Sequence, residues 1–139
     1  DYRLISAEAC AAELPAHFDV VTCMELLEHV PDAASVVAAC ATLARPGGMV
    51  VFATISRTPT AYLHAVLGAE YVLQLLPRGT HDWARFIRPA ELAGFARRAG
   101  LDLAAMTGVA YNPLTKAFRL DRATSVNYIA AFRKPAHAG

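Results

Sequence analysis

The chain has 139 residues, 55% of them hydrophobic and only 18% charged, so it carries enough apolar surface for one globular core and is excluded from the disordered class. Its longest run without a formal charge, residues 103–115, is 13 long, well short of the roughly 18 that a membrane-crossing helix needs. The formal net charge is +1, with 13 basic residues scattered along the chain, so no dense basic face exists to neutralise many phosphates and nucleic acid is not an expected partner.

Tyr2 to Ile5 is a short apolar, β-branched run that predicts a strand, and Ala7 to Leu14 predicts a helix stopped by Pro15. Phe18 to Cys23 favours β structure without strict alternation, the pattern of a strand covered on both faces. Asp32 can cap a helix over Ala33 to Ala44, whose Val36, Val37, Cys40 and Leu43 recur at helical spacing; Arg45-Pro46-Gly47-Gly48 ends it, and Met49 to Ile55 follows as a second buried strand. Thr60 to Leu76 predicts a helix that is apolar nearly all round, with Glu70 as its one formal charge. Pro77 to Arg88 predicts a polar loop, Pro89 opens a helix over Ala90 to Ala99, and Leu101 to Thr107 and Val126 to Phe132 predict the last strands, separated by a turn at Tyr111 to Thr115.

This alternation is the grammar of an α/β fold: a Rossmann-like, mostly parallel sheet with helices on both faces, for which an antiparallel last strand is expected. No glycine precedes Gly47 and the chain opens at Asp1 already in a strand pattern, so the Gly-rich turn that usually begins such a domain is expected to be missing together with the true N-terminus. The expectation is a single partial domain over residues 1–139, unstable or complemented by another chain when alone. Cys10, Cys23 and Cys40 are odd in number, lack a C-x-x-C spacing and lie in apolar segments, which predicts buried free thiols and a reducing cytoplasm.

Met24-Glu25-Leu26-Leu27-Glu28-His29 follows the carboxyl end of a predicted strand, the edge where open α/β sheets bind ligands. If the segment turns helically, Glu25, Glu28 and His29 project from one side and could hold a divalent cation. The alternative is an acidic first turn that stabilises a helix start, with His29 capping it or pairing with a carboxylate. The E-x-x-E-H order lacks the first histidine of the zinc-protease patterns, so peptide hydrolysis is not supported. The apolar run Tyr62 to Leu76 is read either as a core helix or as a surface helix lying on lipid, and His81, Asp82 and Trp83 either as pocket residues or as a solvated loop.

Phe18 to Asp32 together with Leu43-Ala44-Arg45-Pro46-Gly47-Gly48 resembles the middle of a class I S-adenosylmethionine-dependent methyltransferase. Gly68 to Leu73, Pro77 to Asp82, Phe86 to Leu92 and Gly108 to Thr115, in that order and spacing, resemble the ubiquinone biosynthesis O-methyltransferase family over essentially the whole chain. The resemblance implies O-methylation of catechol-type hydroxyls on polyprenylated aromatic substrates. It implies S-adenosylmethionine as cofactor, met by Met24 and by Ala7, and a Mg²⁺ site at Glu25, Glu28 and His29. Without a metal, His29 or His81 is the candidate general base. It further implies peripheral contact with the inner face of the plasma membrane through Tyr62 to Leu76 and membership in a ubiquinone-biosynthesis complex. A non-catalytic α/β module binding lipid or a partner, and a methyltransferase for another acceptor, are the competing assignments.

Overall fold

The computed structural model of the chain describes residues 2–58, 85–112, 115 and 117–136. The predicted helix at Thr60 to Leu76, its lipid-facing alternative and the loop residues His81, Asp82 and Trp83 lie outside the described residues. The elements are α1 (Ala7–Glu13), β1 (Phe18–Met24), a 3₁₀ turn (Leu27–His29), α2 (Ala33–Leu43), β2 (Ala44–Ile55), α3 (Pro89–Arg98), β3 (Asp102–Asn112), β4 (Ala117–Asp121) and β5 (Asn127–Arg133). Local chemistry sets their ends. Ser6 accepts from the Ala9 amide and Asp32 from the Ser35 amide, so each caps the helix that follows. Pro89 opens α3, where the Arg88 amide donates to the Glu91 carboxylate at 2.7 Å.

The five strands form one sheet in the order β1-β2-β5-β3-β4. β1 and β2 are parallel, and β5 is antiparallel to both β2 and β3. β1, β2 and β3 therefore run the same way, and the expected antiparallel last strand is inserted between two of them. β4 returns antiparallel beside β3. The Arg45-Pro46-Gly47-Gly48 stretch belongs to β2 and does not simply end the preceding helix: the ladder jumps from Phe18 opposite Ala44 to Val20 opposite Met49. Gly47 sits at φ +78, and a Cβ on Gly48 would lie 2.8 Å from the Arg45 carbonyl and 3.0 Å from that of Asp19, so both positions of the bulge require glycine.

Cross-strand partners share a face, which separates the two sides of the sheet. On one side lie Cys23, Val50, Phe52, Tyr128, Ala130 and Phe132, packed against Val36, Val37 and Cys40 of α2 and Leu92 and Ala96 of α3. Phe52 and Phe132 meet edge to face at 5.9 Å, a favoured aromatic geometry. On the other side Val20 is 55% and Met24 50% exposed, and Val51, Ile129 and Ala131 are half-buried. Among the described residues the helices thus cover one face, where the sequence pattern led us to expect both.

Tyr2 to Ile5 departs from its expected strand. It has no ladder, and Tyr2 and Leu4 are fully exposed. β-favouring side chains alone do not hold a strand; paired backbone groups do, and no described strand lies beside this segment. The three cysteines are free, with Cys23 and Cys40 buried as expected and Cys10 half-buried. Among the described residues no helix is long and apolar enough to cross a membrane.

Candidate active site

β1 delivers the chain to the carboxyl edge of the sheet at Met24, which is exposed. The next residue leaves the strand abruptly: Glu25 adopts φ +51 while its amide still donates to the Ala53 carbonyl of β2 at 2.9 Å. A non-glycine residue in the left-handed region costs of order 1–3 kcal/mol, and such positions concentrate at functional sites. The left-handed step turns the chain into the single 3₁₀ turn Leu27–His29, in which the His29 amide donates to the Leu26 carbonyl at 2.9 Å.

This turn buries Leu27 and, unusually, Glu28, which is 4% exposed. A buried carboxylate needs partners. Glu28 Oε2 accepts from the Thr54 hydroxyl at 2.8 Å, and Thr54 is itself fully buried on β2. Glu25 is exposed as a residue, but its carboxyl lies against Glu28. Loss of water around that carboxyl comes first among the causes that push its pKa up to about 7, followed by the negative charge of Glu28 and the hydrogen bond between the two side chains.

The cluster is closed from below by Tyr128, cross-strand neighbour of Thr54, whose hydroxyl donates to the Ile87 carbonyl at 2.9 Å. Burial first, then the charges of Glu91 and Glu28, hold the Tyr128 phenol above its ordinary range. The Ile87 amide donates to the Ile55 carbonyl at 3.1 Å, and Glu91 pairs with Arg57, so the stretch before α3 is laced to the end of β2. Ser56, the next residue on the Thr54 face, is fully buried, and its hydroxyl has no hydrogen-bond partner among the described residues.

The structure brings Glu25 and Glu28 together and leaves His29 exposed at the end of the turn. The one-sided helical projection expected for Glu25, Glu28 and His29 does not form, because a left-handed residue and a 3₁₀ turn replace the α-helical spacing. Among the described residues no three His, Cys, Asp or Glu side chains form a group that could hold a metal ion. Ala7 is half-buried as the first residue of α1, packed against the core. Thr54, Ser56 and Tyr128 were not singled out from sequence; the available signal was the run Val50, Phe52, Thr54, Ser56, where hydroxyls continue an apolar face.

An α/β sheet of this kind has counterparts among known proteins. Residues 5–105 match the family model described as a methyltransferase domain, so the chain belongs to the methyltransferase-domain family. Its relatives include the ubiquinone biosynthesis O-methyltransferase of Methylococcus capsulatus, 64% identical over 99% of this chain, and that of Ralstonia nicotianae, 66% identical over 97%. The chain spans 58% and 57% of their lengths. Among solved structures, a SAM-dependent methyltransferase from Thermotoga maritima superposes with a TM-score of 0.60 at 12% identity, covering 87% of this chain and 58% of the neighbour. One from Methanosarcina mazei does so with 0.60 at 13%, covering 89% and 62%. At these identities the structural likeness shows a shared fold.

Proposed function

We propose that this chain is part of an S-adenosylmethionine-dependent O-methyltransferase acting on catechol-type, polyprenylated intermediates of ubiquinone biosynthesis. The observation that carries this is identity of 64% over 99% and of 66% over 97% of this chain to proteins of that name.

S-adenosylmethionine, when bound, supplies an electrophilic methyl group on its sulfonium sulfur. Met24 offers an exposed side chain at the ligand edge, and Ala7 a small one at the start of α1, as two of the surfaces the cofactor would meet. The acceptor hydroxyl must lose its proton as its oxygen attacks the methyl carbon. Glu25, whose carboxyl pKa is raised by loss of water and by the charge of Glu28, is the group assigned to take that proton: the O–H bond breaks, a carboxyl O–H forms, and the oxygen keeps the electron pair it donates to carbon. Glu28 raises the basicity of Glu25 by its charge, and Thr54 keeps Glu28 in place.

The donor set does not fit a Mg²⁺ site at Glu25, Glu28 and His29, since among the described residues no three such side chains form a group that could hold a metal ion, and no step here passes through a metal. Activity unchanged by a chelator fits the proton-acceptor role; activity lost with chelator and restored by Mg²⁺ replaces it with a metal role. A location at the inner face of the plasma membrane through residues 62–76, and a place in a larger complex, belong to the same proposal. The membrane location is supported by the single formal charge in residues 60–76 and by the lipid character of a polyprenyl substrate. Liposome flotation that ignores Leu73→Glu with Leu76→Glu would sink the membrane part.

Calorimetric titration with S-adenosylmethionine tests the cofactor, and methyl transfer to a catechol with and without a prenyl tail tests the substrate class. Absence of cofactor binding favours a non-catalytic module, and equal activity on both catechols favours a different acceptor.

A further inference from the structure

Thr54 breaks the pattern of its own strand. The positions of β2 that face the helices run Val50, Phe52, Thr54, and the first two are fully buried and apolar. Valine has nearly the shape of threonine and the same liking for strands, and it would fill this place without a polar group to satisfy. The threonine hydroxyl instead donates to Glu28 Oε2 at 2.8 Å, with Thr54 at 0% and Glu28 at 4% exposure. β2 is paired on both sides, to β1 and β5, so the bond ties the end of a long side chain to an interior strand of the sheet. Glu25 is tied to the same strand one residue away, through its amide and the Ala53 carbonyl.

We propose that Thr54 is a positioning residue, holding Glu28 in the orientation that presents its carboxylate to Glu25 at the carboxyl edge of the sheet. The inference stands on the Thr54–Glu28 hydrogen bond and the burial of both residues; its effect on turnover rests on the methyl-transfer function proposed above. Thr54 acts through Glu28 and touches neither substrate nor cofactor.

Thr54→Val and Thr54→Ser, made in the whole chain, separate the hydroxyl from the packing. Thr54→Val is expected to shift the side-chain carboxyl ¹³C resonance of Glu28 and to lower kcat about tenfold with KM unchanged, while Thr54→Ser keeps both near wild type. In the wild type, the Thr54 hydroxyl proton is expected to be protected from exchange. An unprotected hydroxyl proton overturns the inference whether or not the valine variant folds. So does a Glu28 resonance that Thr54→Val leaves unmoved, or a serine variant that is as impaired as the valine variant. If the wild-type chain binds cofactor but transfers no methyl group, the functional proposal falls, and the Glu28 resonance and hydroxyl exchange still decide the role of Thr54.

Discussion

At the amino end of β2, Lys134 sends its ammonium group to the carbonyl oxygens of Ala41 and Ala44, each at 2.8 Å, where α2 ends and its last carbonyls lack helical partners. A cation there also meets the negative end of the helix dipole. Beyond the other end of the neighbouring strand β1, the carboxyls of Glu25 and of the buried Glu28 are placed side by side. One end pairs opposite charges and closes orphaned polar groups. The other sets two carboxyls against each other, an arrangement that opposes folding once both are charged. The contrast locates chemistry at the carboxyl edge and structural support at the amino edge.

Substitutions at the two ends should therefore fail in different ways. Glu28→Gln keeps an acceptor for Thr54 but removes the charge beside Glu25, so methyl transfer should fall about a hundredfold with no loss of stability at pH 7. Steady-state kinetics paired with urea unfolding checks this, and an activity loss that merely tracks a lost fold would erase the distinction between the ends. Lys134→Met should do the reverse, destabilising the protein by about 2 kcal/mol in urea unfolding, because two carbonyls lose a charged donor.

A smaller effect follows from Glu25. Its pKa is raised from 4.5 to about 7 on folding, so between these values the folded state holds a proton that the unfolded state has released. The stabilisation is complete below pH 4.5 and is lost as pH rises to about 7. Thermal melts across that window should show a falling midpoint in the wild type and a weaker fall in Glu25→Gln; parallel curves would show that Glu25 is not the group responsible. Smallest of all, Asp19→Asn breaks an ion pair with Arg45 whose side chains are 75% and 57% exposed, and the unfolding free energy should change by less than about 0.5 kcal/mol.

Much of this was legible before the structure. Asp32 as a cap, Pro89 at the start of a helix and the β-favouring run at Phe18 are local signals, and those elements formed within a residue or two of where the signals place them; the strand expected from Met49 begins five residues earlier, at Ala44, because the Gly47-Gly48 bulge carries the ladder back to Phe18. The acidic turn was legible as a site because it follows a strand. Its internal geometry was not, since helical spacing at Glu25, Glu28 and His29 assumes ordinary backbone angles, and Glu25 does not adopt them. Tyr2 to Ile5 misled for the opposite reason: its side chains suit a strand, but a strand exists only where a neighbour supplies hydrogen bonds.

The sequence by itself determined the element types, the caps, the α/β class and the resemblance that pointed to a methyltransferase, because these depend on residues near one another in the chain. The tertiary structure alone decided that the helices described here cover one face of the sheet and that β5 enters between β2 and β3. It also decided that Thr54, 26 residues from Glu28, holds that carboxylate in place. Which carboxylate is buried, and what it touches, depends on register across strands far apart in sequence, and local spacing carries no record of it.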